Sequence, residues 1–168
     1  MEQNAKAAIN SFKENLAKQG RASATILAYS KDIEQLTDFI GKSGKASLKE
    51  ITKADIDAFK EDLSQKNYTT KSISRKINSI KSFFAYIQIN GVIVDNPATE
   101  VTHPKYDIKP PRLLNKLEYR ALRDVCKDDL RMAAIVELLL QTGMRISELA
   151  NLRLKDINHE TNQLTIKA

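Results

Sequence analysis

Between Leu63 and Val94 the chain carries Lys66, Lys71, Arg75, Lys76 and Lys81, and not one Asp or Glu. Within that stretch Ile73, Ile77, Ile80, Phe84 and Ile87 recur at intervals of four, three, four and three, which places them along one side of a 3.6-residue helix. Lys71, Arg75, Asn78 and Ser82 then fall within roughly 40° of the opposite side. A solvated helix face usually mixes Lys with Glu four residues apart. This one is cationic and polar throughout, and it suits a polyanion. Lys71, Arg75 and Lys76 are the candidates for contact with such a partner. Arg75 and Asn78 also have the donor and acceptor patterns that match the edges of guanine and adenine. An ordinary solvated surface is the alternative for any single helix.

Other reactive residue types are sparse. Cys126 is the only cysteine, so no internal disulfide forms. It closes an apolar-periodic segment (Leu117, Leu122, Val125), where a buried core thiol is expected rather than a nucleophile. With only His103 and His159, no cluster has the spacing of a metal site, and neither a metal nor a cofactor is expected. Arg145 and Glu148 stand three residues apart; taken alone, that spacing describes a common helix-surface ion pair.

The elements that must carry these residues are helical almost throughout. The chain has 168 residues, 42% hydrophobic and 29% charged, with a formal net charge of +6, the composition of a globular protein with a bias toward acidic partners. No apolar run reaches the roughly 18 residues of a membrane span, and the start of the chain lacks the pattern of a secretory signal; a cytoplasmic location is expected. Ala5, Ala8, Ile9, Phe12 and Leu16 predict a first helix ended by Gly20. A second runs from about Ser23 to Ile40, burying Ile26, Tyr29, Ile33, Leu36 and Ile40, before a loop at 41–45. Thr52 with Asp55 predicts a capping box opening a third helix over Ile56, Phe59 and Leu63. The cationic helix is the fourth, and Asn96-Pro97 stops the helical region.

Residues 99–111 hold three prolines and little periodicity, the composition of an extended basic linker. Beyond it Asn115 with Glu118 predicts another capping box and a helix through about Cys126. The run from Ala133 to Leu140 is apolar except for Glu137 and predicts a helix buried on most sides. Thr142-Gly143 breaks it, and a short helix follows from Ile146 to Leu152, with Ile146, Leu149, Ala150 and Leu152 expected inside. Asn158 to Asn162 reads as a turn into a lone alternating strand, 163–167.

Residues 139–153, Leu-Leu-Gln-Thr-Gly-Met-Arg-Ile-Ser-Glu-Leu-Ala-Asn-Leu-Arg, followed by Lys155-Asp156-Ile157, resemble the first catalytic box of the tyrosine site-specific recombinases, the phage-integrase family. In that box a buried helix leads to Thr-Gly-apolar-Arg, then Glu three residues on. Ser23, Thr25 and Tyr29, the helix from Ser74-Arg75 to Phe83-Phe84 and Tyr86, and Asn96-Pro97-Ala98 are similar to the Xer-like core-binding domain. The resemblance implies a mainly α fold: a four-helix SAM-like core-binding domain at 1–98, a linker at 99–111, and at 112–168 the first helices and first β-strand of a mixed α/β catalytic domain. It implies double-stranded DNA at a specific site as partner, clamped between the domains, with Thr25, Lys71, Arg75, Lys76, Asn78 and Ser82 as DNA contacts. Full-length members tetramerise on DNA.

By the same resemblance Arg145 is the first of two arginines on the scissile phosphate, and Glu148 is the acid that helps order the site. A guanidinium suits this task because its planar fork gives two hydrogen bonds while staying protonated. The family also uses a Lys on the next hairpin, a His-x-x-Arg box and a late tyrosine nucleophile. Lys167 falls ahead of that hairpin position, His159 is followed at the third place by Asn162, and the last tyrosine is Tyr119. The 168 residues alone are therefore expected not to cleave DNA. Two other readings remain: an inactive module that occupies recombination sites, and an unrelated helix-turn-helix regulator, in which the helix from Ile146 would lie exposed and basic. Residues 111–168, about 58 in number, make a marginal unit by themselves.

Overall fold

The computed structural model describes residues 2–45, 47–105 and 110–166. The chain divides into two compact units, 1–108 and 109–168. The first holds helices α1 (Glu2–Lys18), α2 (Ser23–Lys42), α3 (Lys53–Gln65) and α4 (Thr70–Ile89). The predicted starts and stops are built from local hydrogen bonds. Gly20 takes φ +73°, and the N–H groups of Gly20 and Arg21 return to Ala17 and Leu16, which ends α1 without stranding its last carbonyls. Thr52 and Asp55 form the reciprocal box at the start of α3; Lys45 Nζ adds a 2.5 Å bond to the same Asp55 carboxylate. Gly41, expected in the loop after α2, lies inside that helix. The left-handed turn falls at Gly44, φ +81°, because the cap N–H bonds of Ser43 and Gly44 reach back to Ile40 and Gly41.

The stripe read from the sequence is the core. Ile73, Ile77, Ile80, Phe84 and Ile87 are all buried, as are Phe12 from α1, Ile33, Leu36 and Ile40 from α2, and Ile56, Phe59 and Leu63 from α3. Each such side chain contributes roughly 1.5–3 kcal/mol when removed from water. Phe12 meets the edge of Phe83 with ring centroids 5.5 Å apart, and lies 5.4 Å from Tyr86. Helix α4 packs against α1, α2 and α3, so its buried arc is wider than one stripe and takes in Ser74, Lys76, Ser79 and Phe83. Lys76, expected as a DNA contact, is 7% exposed and lies on the buried side of α4.

After α4 the chain turns at Gly91, φ +70°, and returns Ile93, Ala98 and Val101 to the same core. The opening of the stretch read as linker is thus packed on the helices. Lys81 Nζ donates to the Thr99 carbonyl at 3.4 Å, and Ser74 Oγ lies 3.2 Å from His103 Nδ1. Residues 106–109 of that stretch lie outside the described residues.

The second unit holds α5 (Lys116–Val125), α6 (Leu130–Thr142), α7 (Ile146–Ala150) and strands β1 (Ile157–Asn158) and β2 (Gln163–Leu164). The Asn115 and Glu118 capping box is formed, and Cys126 is buried, as the sequence indicated. Two expectations are corrected. No residue of α6 is buried, because within this unit the helix packs mainly against two shorter helices, α5 and α7, too little to surround an element apolar on most sides. For the same reason Ile146 is 75% exposed; Ala150 is exposed too, and Leu149 and Leu152 are only half-buried. The lone strand is instead paired. Strand β2 runs antiparallel to β1, with Ile157 opposite Leu164 and Asn158 opposite Gln163. Asn158 Oδ1 accepts from Glu160 and Thr161 N–H to close the turn, and Asn162 takes φ +52°. The strand ends at Leu164, and Lys167 lies outside the described residues.

Candidate functional site

In the first unit the chemistry gathers on α4 and the facing side of α2. Lys71, Arg75 and Asn78 are exposed, and Ser82, like Thr25 in the first turn of α2, is half-buried. Among the described residues the side chains of Lys71 and Asn78 make no hydrogen bond or ion pair. Arg75 and Lys76 are committed. Asp32, on α2 and 1% exposed, accepts four hydrogen bonds: Arg75 Nη1 on Oδ2 at 2.8 Å, Arg75 Nη2 on Oδ1 at 3.0 Å, Lys76 Nζ on Oδ1 at 2.8 Å and Ser79 Oγ on Oδ2 at 2.8 Å. A carboxylate offers about four lone-pair sites, so this one is saturated. Lys76 Nζ also donates to Gln35 Oε1 at 2.7 Å and sits 5.3 Å from the centroid of the Tyr68 ring.

The helix face is free of carboxylates along its own sequence, but α2 supplies one from beneath. One Asp against an Arg and a Lys leaves the cluster with a formal charge of +1. The sequence reading missed Asp32, Ser79, Gln35 and Tyr68. A signal was present for two members: Asp32 falls between Tyr29, Ile33 and Leu36, and Lys76 between Ile73, Ile77 and Ile80. Each is a charge on an apolar stripe, and such charges are buried only when paired.

In the second unit Gly143 ends α6 at φ +66°, the left-handed region that glycine enters without steric penalty. Thr142 Oγ donates to the Leu138 carbonyl at 2.5 Å and accepts from Met144 N–H at 3.3 Å. Met144 is buried beside it. The turn delivers Arg145 to the N-cap position of α7. Its side chain is 81% exposed. Glu148 holds it twice, accepting from Arg145 N–H at 2.7 Å and from Nη1 at 2.7 Å. The Arg145 backbone N–H, and next the guanidinium, hold the Glu148 carboxyl below the ordinary glutamate range. The ion pair read as the bland alternative is therefore present. It coexists with an exposed guanidinium, whose planar fork has five donors, of which Glu148 takes one.

Two family models match this chain: the SAM-like N-terminal domain of phage integrases over residues 9–89 and the phage integrase family over 112–168. A tyrosine recombinase XerC from Roseiflexus castenholzii is 32% identical over 162 residues, 93% of this chain and 52% of that protein. A tyrosine recombinase from Thermosipho africanus is 35% identical over 158 residues, 89% of this chain and 54% of that protein. The chain thus spans about half the length of the curated relatives it matches. Among solved structures, a lambda integrase dimer bound to a COC' core site matches with TM-score 0.73 at 19% identity, over 92% of this chain and 55% of that one. A lambda integrase tetramer bound to a Holliday junction matches with TM-score 0.74 at 19% identity, over 92% and 43%. At that identity the likeness concerns the fold. No helix among the described residues is long and apolar enough to cross a membrane.

Proposed function

Because this chain belongs to the phage integrase family of tyrosine recombinases, we propose that it is the DNA-binding portion of a site-specific recombinase, with part of the phosphate-binding machinery of its catalytic domain. Residues 1–98 are the core-binding domain, 99–111 a linker whose first residues pack on that domain, and 112–168 the opening of the catalytic domain. The observation that carries this reading is Arg145: a glycine turn sets it at the start of α7, Glu148 steadies it, and its guanidinium stays exposed. There it offsets charge on a scissile phosphate as a pentacoordinate transition state forms. Glu148 acts through it as a positioning residue. In the first unit Thr25, Lys71, Asn78 and Ser82 line a surface for duplex DNA. DNA as substrate carries with it a cytoplasmic location.

The helix-turn-helix reading loses its support. Although α7 is exposed, it is five residues long and carries no basic side chain between Ile146 and Ala150.

Binding to a random-sequence duplex, followed across salt concentrations, tests the DNA reading. Each phosphate contact adds about −0.9 to the log-log slope, and a flat response overturns it. On a nicked suicide substrate the 168-residue chain is expected to form no covalent adduct, since members of a cooperating catalytic site act as one unit. A trapped adduct would show that a nucleophile is present after all.

A further inference from the structure

The cluster around Asp32 bears on how the first unit would meet DNA. Arginine has two ways to present paired donors, through its tip (Nη1 with Nη2) and through its side edge (Nε with one Nη). Both tip nitrogens of Arg75 are on the buried Asp32 carboxylate, at 2.8 and 3.0 Å. The far end of the side chain is therefore anchored to the protein interior, while the side chain as a whole stays 49% exposed. Base edges lie on the floor of the major groove, which is roughly 8.5 Å deep, and a reader must extend its tip to them. Phosphates lie at the rim. A guanidinium held back by its tip presents only its side edge at the helix surface, where it can meet the rim and not the floor.

We infer that Asp32 is a positioning residue that holds Arg75 as a fixed cation for a backbone phosphate and withdraws it from base reading. This rests on the proposed reading that the α4 face meets duplex DNA, and it changes what that face does. Sequence choice at α4 falls to Asn78 and Lys71, whose side chains are exposed and bond to nothing among the described residues. Lys76 belongs to the anchor: it is buried, it shares Oδ1 of Asp32 with Arg75, and its charge keeps the cluster net positive.

The experiment uses the full 168-residue chain and a pool of random-sequence duplexes, with two variants at the half-exposed Arg75 and circular dichroism to establish that each is folded. Arg75→Ala is expected to weaken binding to the whole pool, to make the salt slope shallower by about 0.9, and to leave unchanged the base preferences of the duplexes that are retained. Arg75→Lys keeps the charge and lacks the two-pronged grip on Asp32, so it is expected to recover the lost slope and affinity only in part. Loss of a guanine preference with Arg75→Ala overturns the inference, as does an unchanged slope. Full recovery with lysine would show that the grip of Asp32 has no role. A flat salt response of the unaltered chain would overturn the DNA reading itself, an outcome separable from all of these.

Discussion

The side chain of Glu148 shows how a single carboxylate can serve two levels of structure. Its Oε2 caps the first turn of α7 through the Arg145 N–H and its Oε1 holds the guanidinium. Both bonds favour the ionised form, and the backbone bond is the larger cause of the lowered pKa. A folded-state pKa below the unfolded one contributes stability that is present above the ordinary glutamate range and is lost as pH falls through the folded value. The cap and the hold on Arg145 are thus intact at neutral pH and released in acid. Titration of the Glu148 carboxyl by NMR is expected to show a depressed midpoint. In Arg145→Ala it should move up toward the ordinary range without reaching it, since the backbone donor remains. A midpoint indifferent to the substitution would show that the pair seen here does not persist in solution.

Helices α2 and α4 are joined by opposite kinds of contact. Ile33, Leu36 and Ile40 share one buried cluster with the isoleucines and phenylalanines of α4, a non-directional contact that specifies register less sharply than hydrogen bonds do. Asp32 with Arg75, Lys76 and Ser79 sets it, because four hydrogen bonds close only when those positions are level. Removing the carboxylate leaves the Lys76 ammonium, 9% exposed as a side chain, with Gln35 and the Tyr68 ring beside it but without its counter-ion. Asp32→Ala is therefore expected to destabilise the first unit by about 3–5 kcal/mol, read from the midpoint of urea unfolding. A loss below about 1 kcal/mol, the range of an exposed ion pair, would mean that water reaches the cluster.

Across the whole chain the two units are packed very differently. In the first, all four long helices contribute residues with almost no exposure; in the second, the buried residues among those described are Cys126, Met144 and Asp156. Leu113, Leu117, Val125, Leu130, Ile146 and Leu154 are each at least 75% exposed, apolar surface well beyond what an isolated residue here and there would give. Local stability follows buried contacts. Amide hydrogen exchange is expected to find slow exchange in α2, α3 and α4 and much faster exchange throughout α5, α6 and α7. Equal protection in both units would show that the second buries surface in solution that it exposes here.

Much was legible from the residues in order. The core stripe of α4, the capping boxes at Thr52 and Asn115, the turn at Gly143 and the hidden thiol at Cys126 depend on neighbours within a few positions, and helix period, caps and glycine conformation are local physics. The sequence also placed Arg145 and Glu148 within reach of one another, one helical turn apart. Whether an apolar helix is covered depends on what else packs there, and α6 and Ile146 were misread for that reason. The fate of Lys76 and Arg75 was equally non-local: Asp32 lies more than forty residues away along the chain. Only the packing of α2 on α4 turned a face that looked free of carboxylates into a cation anchored from below.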